Sequence, residues 1–308
     1  MIEVAMKNGV LMALLSAFVF SVMNALVKEV SGTIPAAEIA FFRGLIGTIL
    51  VVALMRHQQI AFSRKGIPML VFRGMMGGLY MLAFFFTLAK LPLTDASILA
   101  QLAPIFVILL SALFLKEKLS ARAKAMLLII FLGAFILLKP GAYSSYSAYA
   151  LVGLLSALFS AAASISIRYL SQKHSAYEIV FYFTVTSSLV ALPFVHLFVM
   201  PDTRELVLLL LIGIVSLIGQ LFLTKAFTHE SAVVVQVVSY FGLMLNAMFG
   251  YLFWSETPDA ATIIGGILIV AGCIALTAAK SGGAKAAAAK RFIIPRKEEQ
   301  EDEERTIL

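Results

Sequence analysis

Gly9-Val-Leu-Met-Ala-Leu-Leu-Ser16 returns further along the chain as Gly153-Leu-Leu-Ser-Ala-Leu-Phe-Ser160, keeping glycine, one leucine, alanine, a second leucine and serine at an offset of 144. Glu38-Ile-Ala-Phe41 recurs as Glu178-Ile-Val-Phe181 at an offset of 140. Glu117 precedes Gly133 by the same sixteen positions that separate Glu256 from Gly272. Any one match could arise by chance in an apolar chain. An ordered series at offsets of 139 to 144 makes a tandem repeat the economical reading.

The repeated material belongs in a membrane. Of 308 residues, 61% are hydrophobic and 13% charged, and the mean hydropathy is +0.98. A soluble fold of this length needs a shell of roughly 25% charged residues, so a water-soluble enzyme is excluded. The charge present is also unevenly spread. The first 279 residues hold 17 Lys/Arg and 11 Asp/Glu, and the basic ones sit singly at the ends of apolar runs. They form no stripe with interleaved aromatics, so no nucleic-acid partner is expected. The single cysteine, Cys273, gives no internal disulfide, redox pair or thiolate cluster. No cofactor and no metal site is expected either.

A spanning helix needs about 20 mostly apolar residues. Ten such runs are read at 8–30, 36–55, 67–88, 94–115, 122–139, 148–171, 176–199, 204–228, 231–253 and 259–279, punctuated by Pro35, Pro92, Pro140-Gly141, Pro201-Asp202 and Pro258-Asp259. The first run is too long for a signal-peptide core and is expected to stay uncleaved. Counted by alternate loops, one side carries eleven Lys/Arg and the other four, with Arg43 and Arg73 left inside the bilayer. The positive-inside rule then puts both termini in the cytoplasm.

Five spans per copy is an odd number, so the second copy lies upside down relative to the first. The expected fold is therefore an all-α integral membrane protein of ten transmembrane helices, built as two inverted five-helix repeats. Residues 1–139 form the first repeat, 140–147 an external linker, 148–279 the second repeat and 280–308 a charged cytoplasmic tail. Inverted repeats allow two nearly equivalent packings with two nearly equivalent openings, which is a transporter architecture.

Several of these stretches resemble a known family. Ala103-Pro104-Ile105-Phe106, the run Leu115-Lys-Glu-Lys-Leu-Ser120 leading to Gly133, and the second copy Phe253-Trp-Ser-Glu-Thr-Pro-Asp259 leading to Gly265-Gly266 and Gly272 are similar to the EamA repeat of the drug/metabolite transporter superfamily. The resemblance covers nearly the whole chain to about Ala279. It implies alternating-access transport of a small organic metabolite through a central cavity lined mainly by helices 1, 3, 4, 6, 8 and 9. Phe41-Phe-Arg-Gly44, Phe72-Arg-Gly74 and Glu256-Thr-Pro-Asp259 look closest to a bacterial, inner-membrane branch that includes S-adenosylmethionine and riboflavin uptake carriers. An uptake role for one of those compounds is the alternative to an amino acid, a derivative or a similar amphipathic anion or zwitterion.

Candidate substrate-binding residues follow from intramembrane polarity. A charge at the bilayer centre costs at least about 2.5 kcal/mol on insertion scales, so Arg43 and Arg73 need a reason. Either they pair internally or snorkel, Arg43 with Glu38 or a carbonyl, or one of them forks onto a substrate carboxylate or phosphate. Arg73 shares a helical face with Gly77, Tyr80 and Phe84 and is the better candidate. Gln101 and Pro104 share a face of the fourth helix, where proline frees a carbonyl. Gln236 and Tyr240 lie four apart on the ninth, and Gln220 on the eighth can join them. For each polar residue an interhelical hydrogen bond is an equal alternative. Tyr240 falls where the first repeat has Pro104, so the cavity is expected to be chemically asymmetric.

Other positions read as packing or capping. The serine ladder Ser156, Ser160, Ser164 and the stripe Gly242, Asn246, Gly250 suit close helix contact. Glu117 and Glu256 precede helices starting near Ser120 and Asp259 and read as caps. Glu38 is read as the acid placed clearly within a span, and the four histidines fall at or near helix ends, so facilitated diffusion or exchange fits as well as coupling to protons. A membrane enzyme would gather His, Asp, Glu or Cys on one face, and no HxxxH, HExxH, DxxD or cysteine pair is present. The lipid bilayer and a small-molecule substrate are the expected partners, with a monomer as the transport unit.

Overall fold

The computed structural model describes residues 9–63, 65–103, 105–106, 121–137, 144–230, 232–272 and 274–275. Among them every regular element is helical and none is a strand. In chain order they are α1 Gly9–Val30, α2 Ala36–His57, α3 Ile67–Lys90, α4 Leu93–Ala100, α5 Ala121–Leu137, α6 Ser144–Leu170, α7 Ala176–Ala191, α8 Thr203–His229, α9 Ala232–Trp254 and α10 Ala260–Gly272. Six of these helical stretches are long and apolar enough to cross a bilayer. α4, α5, α9 and α10 fall within or at the edge of the fourth, fifth, ninth and tenth expected spans.

Local chemistry sets the helix ends. Pro35 and Pro92 precede α2 and α4, and Pro68 sits in the first turn of α3, where a missing N–H is harmless. Asp202 and Glu205 close a capping box on α8, and Ser175 accepts the Glu178 N–H on α7. Two boundaries differ from expectation. The seventh span is α-helical only to Ala191 and continues as a tighter 3-10 turn over Leu192–Leu197, because Pro193 has no N–H for the carbonyl four residues back. α6 begins at Ser144, inside the stretch read as linker.

The two halves interlock through exchanged partners. α1 packs along α8 while its counterpart α6 packs along α3, and α2 lies against α7. Individual contacts repeat at offsets of 136 to 140. Gly133 lies against Ile269 as Gly272 lies against Ile130. Lys28 donates to the Leu91 carbonyl at 2.6 Å as Arg168 donates to that of Phe227 at 2.7 Å. Glu38, at the start of α2, accepts the Val199 N–H beyond α7 at 2.9 Å, and Glu178, at the start of α7, accepts the Ser63 N–H beyond α2 at 2.8 Å. Each half thus closes a loop of the other. Leu128, Phe135, Ile49 and Ile267 stay exposed on the outside of the bundle, the surface that a helical membrane protein gives to lipid.

Candidate functional site

Phe42-Arg43-Gly44 and Phe72-Arg73-Gly74 build the site from two sides of α7. The glycine of each triplet lets α7 come close. A Cβ on Gly44 would meet the Thr184 oxygen at 2.7 Å and the Ser188 nitrogen at 2.9 Å, and one on Gly74 would meet the Tyr182 oxygen at 2.7 Å. With α7 drawn in, Phe183 comes within reach of both arginines. The Arg73 guanidinium lies 4.4 Å from its ring centroid and that of Arg43 lies 5.1 Å away, both within cation–π range. Arg43 is 1% exposed and Arg73 3%. Nε and Nη1 of each have no hydrogen-bond partner among the described residues.

Arg73 opens onto a central cavity of about 170 Å3 lined by α1, α3, α4, α6, α8 and α9 together with Phe183 of α7. This is the helix set that the resemblance implies. A single water needs roughly 10–15 Å3 on this measure, so the space can take a metabolite-sized group. Among its described lining residues Arg73 is the charged one and none is acidic. Apolar wall is supplied by Phe20, Met23 and Phe227, and polar wall by Ser16, Asn24, Ser160, Gln220 and Asn246.

The structure divides the candidate residues. Tyr80 is on the wall and stacks on Phe84 at 5.6 Å between centroids. Gln101 is on the wall and is tied to α9, donating to the Ser239 carbonyl at 3.3 Å and accepting from the Ser239 hydroxyl at 3.2 Å. Gln220 lines the cavity with its Nε2 unpartnered among the described residues. Tyr240 is packed off the wall, in an apolar cluster with Ile98, Leu102 and Ile105. Arg43 also lies off the wall, beside the Phe183 ring, and Glu38 accepts the Val199 N–H rather than pairing with it. Pro104, Glu117 and the Gln236 side chain lie outside the described residues.

Glu256 has a different structural task from the one expected. Asp259 caps α10, accepting the Thr262 N–H at 2.8 Å, while the Glu256 carboxylate accepts the Leu93 N–H at 2.7 Å and meets Lys28 at 3.1 Å. Ser160 and Ser164 line the cavity, while Ser156 bonds to the Gly153 carbonyl inside α6.

Sequence reasoning missed Asn24 and Asp95. Asn24 continues the four-residue spacing Ser16, Phe20, Asn24 along the cavity face of α1, a signal present in the sequence. Asp95 contradicts the reading of Glu38 as the acid within a span. It is 2% exposed and accepts from Tyr146 at 2.6 Å and Thr262 at 2.7 Å, joining α4, α6 and α10. An acid just after Pro92 looks like ordinary first-turn helix chemistry, which hid it.

Comparison with known proteins bears on this arrangement. The sequence profile of the EamA-like transporter family matches residues 7–139 and again residues 147–278. The chain is 58% identical over 277 residues to the pseudopaline exporter CntI of Pseudomonas aeruginosa, covering 89% of this chain and 98% of that one. It is 30% identical over 283 residues to an uncharacterized transporter of Helicobacter pylori, at 88% and 95% coverage. With the S-adenosylmethionine uptake transporter of Rickettsia prowazekii it shares 25% over 265 residues, at 85% and 90%. One solved crystal structure superposes with a TM-score of 0.61 at 22% identity, over 87% of this chain and 95% of the other, a likeness of fold.

Proposed function

Because the chain belongs to the EamA-like transporter family, we propose that it exports a small carboxylate-bearing metabolite by alternating access, with pseudopaline as the first candidate. The observation that carries this reading is Arg73, a buried guanidinium on the wall of the central cavity with Nε and Nη1 unpartnered among the described residues. Its planar fork suits a carboxylate, and the Phe183 face holds the plane in place. Tyr80 offers a ring beside it for an apolar or aromatic body. Gln220, Asn24 and Asn246 supply amides across the same space. An amphipathic anion or zwitterion meets both kinds of wall.

Export is favoured over uptake by the 58% identity along 98% of a protein named as an exporter, against 25% for one named as an uptake transporter. Uptake of S-adenosylmethionine is the second reading. The two five-helix units, residues 1–139 and 148–279, serve as the bodies that rock against each other around the cavity, and the paired profile match supports that division. Both termini are cytoplasmic in this reading, supported by the eleven-to-four charge count, and the monomer is the working unit. The protein sits in the inner membrane and moves its substrate by diffusion or exchange, with protons as the alternative driving ion.

Inside-out membrane vesicles carrying the protein are expected to accumulate radiolabelled pseudopaline, and vesicles without it are not. Accumulation of S-adenosylmethionine by right-side-out vesicles, with no pseudopaline movement, would replace the first reading by the second. Imposing or collapsing a pH gradient in the same vesicles separates proton coupling from exchange.

A further inference from the structure

We propose that Arg43, which does not reach the cavity, acts with Arg73 beside the shared Phe183 ring so that the site selects a doubly negative group, such as two neighbouring carboxylates, over a singly negative one. The inference rests on the transport reading above and adds the charge of the substrate to it.

The geometry places two cations on one aromatic ring, at 4.4 and 5.1 Å from its centroid, inside a bundle where each is at least 97% buried. The described acids that could neutralise them are committed elsewhere. Glu38 takes the Val199 N–H, Asp95 takes Tyr146 and Thr262, Glu178 takes His174 and the Ser63 N–H, and Glu256 takes Lys28 and the Leu93 N–H. The protein alone therefore places two like charges on one ring, repelling each other in a buried setting.

A monoanion forked onto Arg73 answers one of these charges and leaves the other uncompensated in a medium of low dielectric, where an unpaired ion is most costly. A second negative charge on the same molecule meets the field of Arg43 as well. Field, unlike a hydrogen bond, does not require contact. Arg43 is absent from the wall and shares with Arg73 the ring of Phe183, which is on it. It is a positioning and selectivity residue, and Arg73 makes the contact. The arrangement also accounts for two arginines where contact with a single carboxylate would need one.

Succinate and its monoamide succinamate are close in size and differ by one charge, so they isolate the effect. Calorimetric titration of the purified full-length protein in detergent is expected to show succinate binding roughly tenfold tighter than succinamate, the order of one charge–charge interaction over about 10 Å at an effective dielectric of about 20. Arg43→Gln is expected to bring that ratio close to one, Arg43→Lys to keep it, and Arg73→Gln to weaken both ligands together. A wild-type ratio near one overturns the proposal, and needs no variant to be folded. So does a ratio that survives Arg43→Gln, or an absence of measurable succinate binding. Sulfate displacing succinate from the wild type but not from Arg43→Gln would support a site for dianions in general. Failure of pseudopaline export with the succinate preference intact would remove that substrate and leave the selection. Intact export with no preference would do the reverse.

Discussion

Lys28 and Glu256 meet at 3.1 Å, and through them the end of α1, the turn between α3 and α4, and the segment between α9 and α10 are fastened together. The Lys28 ammonium also donates to the Leu91 carbonyl at 2.6 Å, and the second carboxylate oxygen takes the Leu93 N–H at 2.7 Å. Both side chains are largely buried, at 16% and 15% exposure. Glu256→Ala leaves the Leu93 amide without its acceptor and Lys28 without its counter-charge, a loss of about 1–3 kcal/mol for a buried group. Glu256→Gln retains an oxygen for Leu93 and is expected to lose less. Thermal melting in detergent should rank wild type above Gln above Ala, and equal midpoints would contradict the role given to this carboxylate.

Gly74→Ala should be poorly tolerated because its Cβ would approach the Tyr182 oxygen to 2.7 Å. Overpacking of this kind costs typically about 1–3 kcal/mol, and here it also pushes α7, and Phe183 with it, away from Arg73. Gly32→Ala is the control, since its nearest neighbour would be the Glu29 oxygen at 4.0 Å. The first variant is expected to lower both the melting midpoint and substrate affinity, the second to change neither. Matching behaviour of the two would argue against a close α3–α7 seam.

Arg73→Lys keeps the charge and loses the bidentate plane. Normal membrane expression with pseudopaline affinity weakened by roughly tenfold or more is the expected result, measured as binding to purified protein. Unchanged affinity in Arg73→Lys and Arg73→Gln would move anion contact to another residue.

Much of the fold could be read in the sequence because hydrophobic run length and proline punctuation are local signals, and the repeat offset marked the two copies. The helix set around the cavity was legible only through the family resemblance. What escaped depended on rotation about a helix axis. Tyr240 and Gln101 both sit at polar interruptions of apolar runs, yet Gln101 faces the cavity and Tyr240 an apolar cluster, and spacing within one helix cannot tell which neighbour lies on which side. Arg43 and Arg73 were both visible as costly charges. Their common partner, Phe183, belongs to the other half of the chain and has an ordinary apolar context. Glu256 was misassigned because a nearer oxygen, Asp259, takes the cap.

Sidedness has its own test. A cysteine introduced at Ser145, in the first turn of α6, is expected to react with an impermeant maleimide added to intact cells, as the eleven-to-four distribution of Lys and Arg requires. Labelling confined to permeabilised cells would overturn this topology and, with it, the inverted repeat.

The seam between α7 and the pair α2 and α3 also imposes an order on biogenesis. Arg43 and Arg73 leave the ribosome before Phe183 exists, and at synthesis rates of roughly 5–20 residues per second the ring follows Arg73 by several seconds or more. During that interval the early helices hold two cations and a row of glycines with nothing to rest on, so their final seating must await the arrival of α7. The nascent first half is in this sense a mould waiting for its casting. A chain halted before Phe183 is consequently a target for membrane proteolysis, and supplying residues 148–279 as a separate polypeptide should spare it.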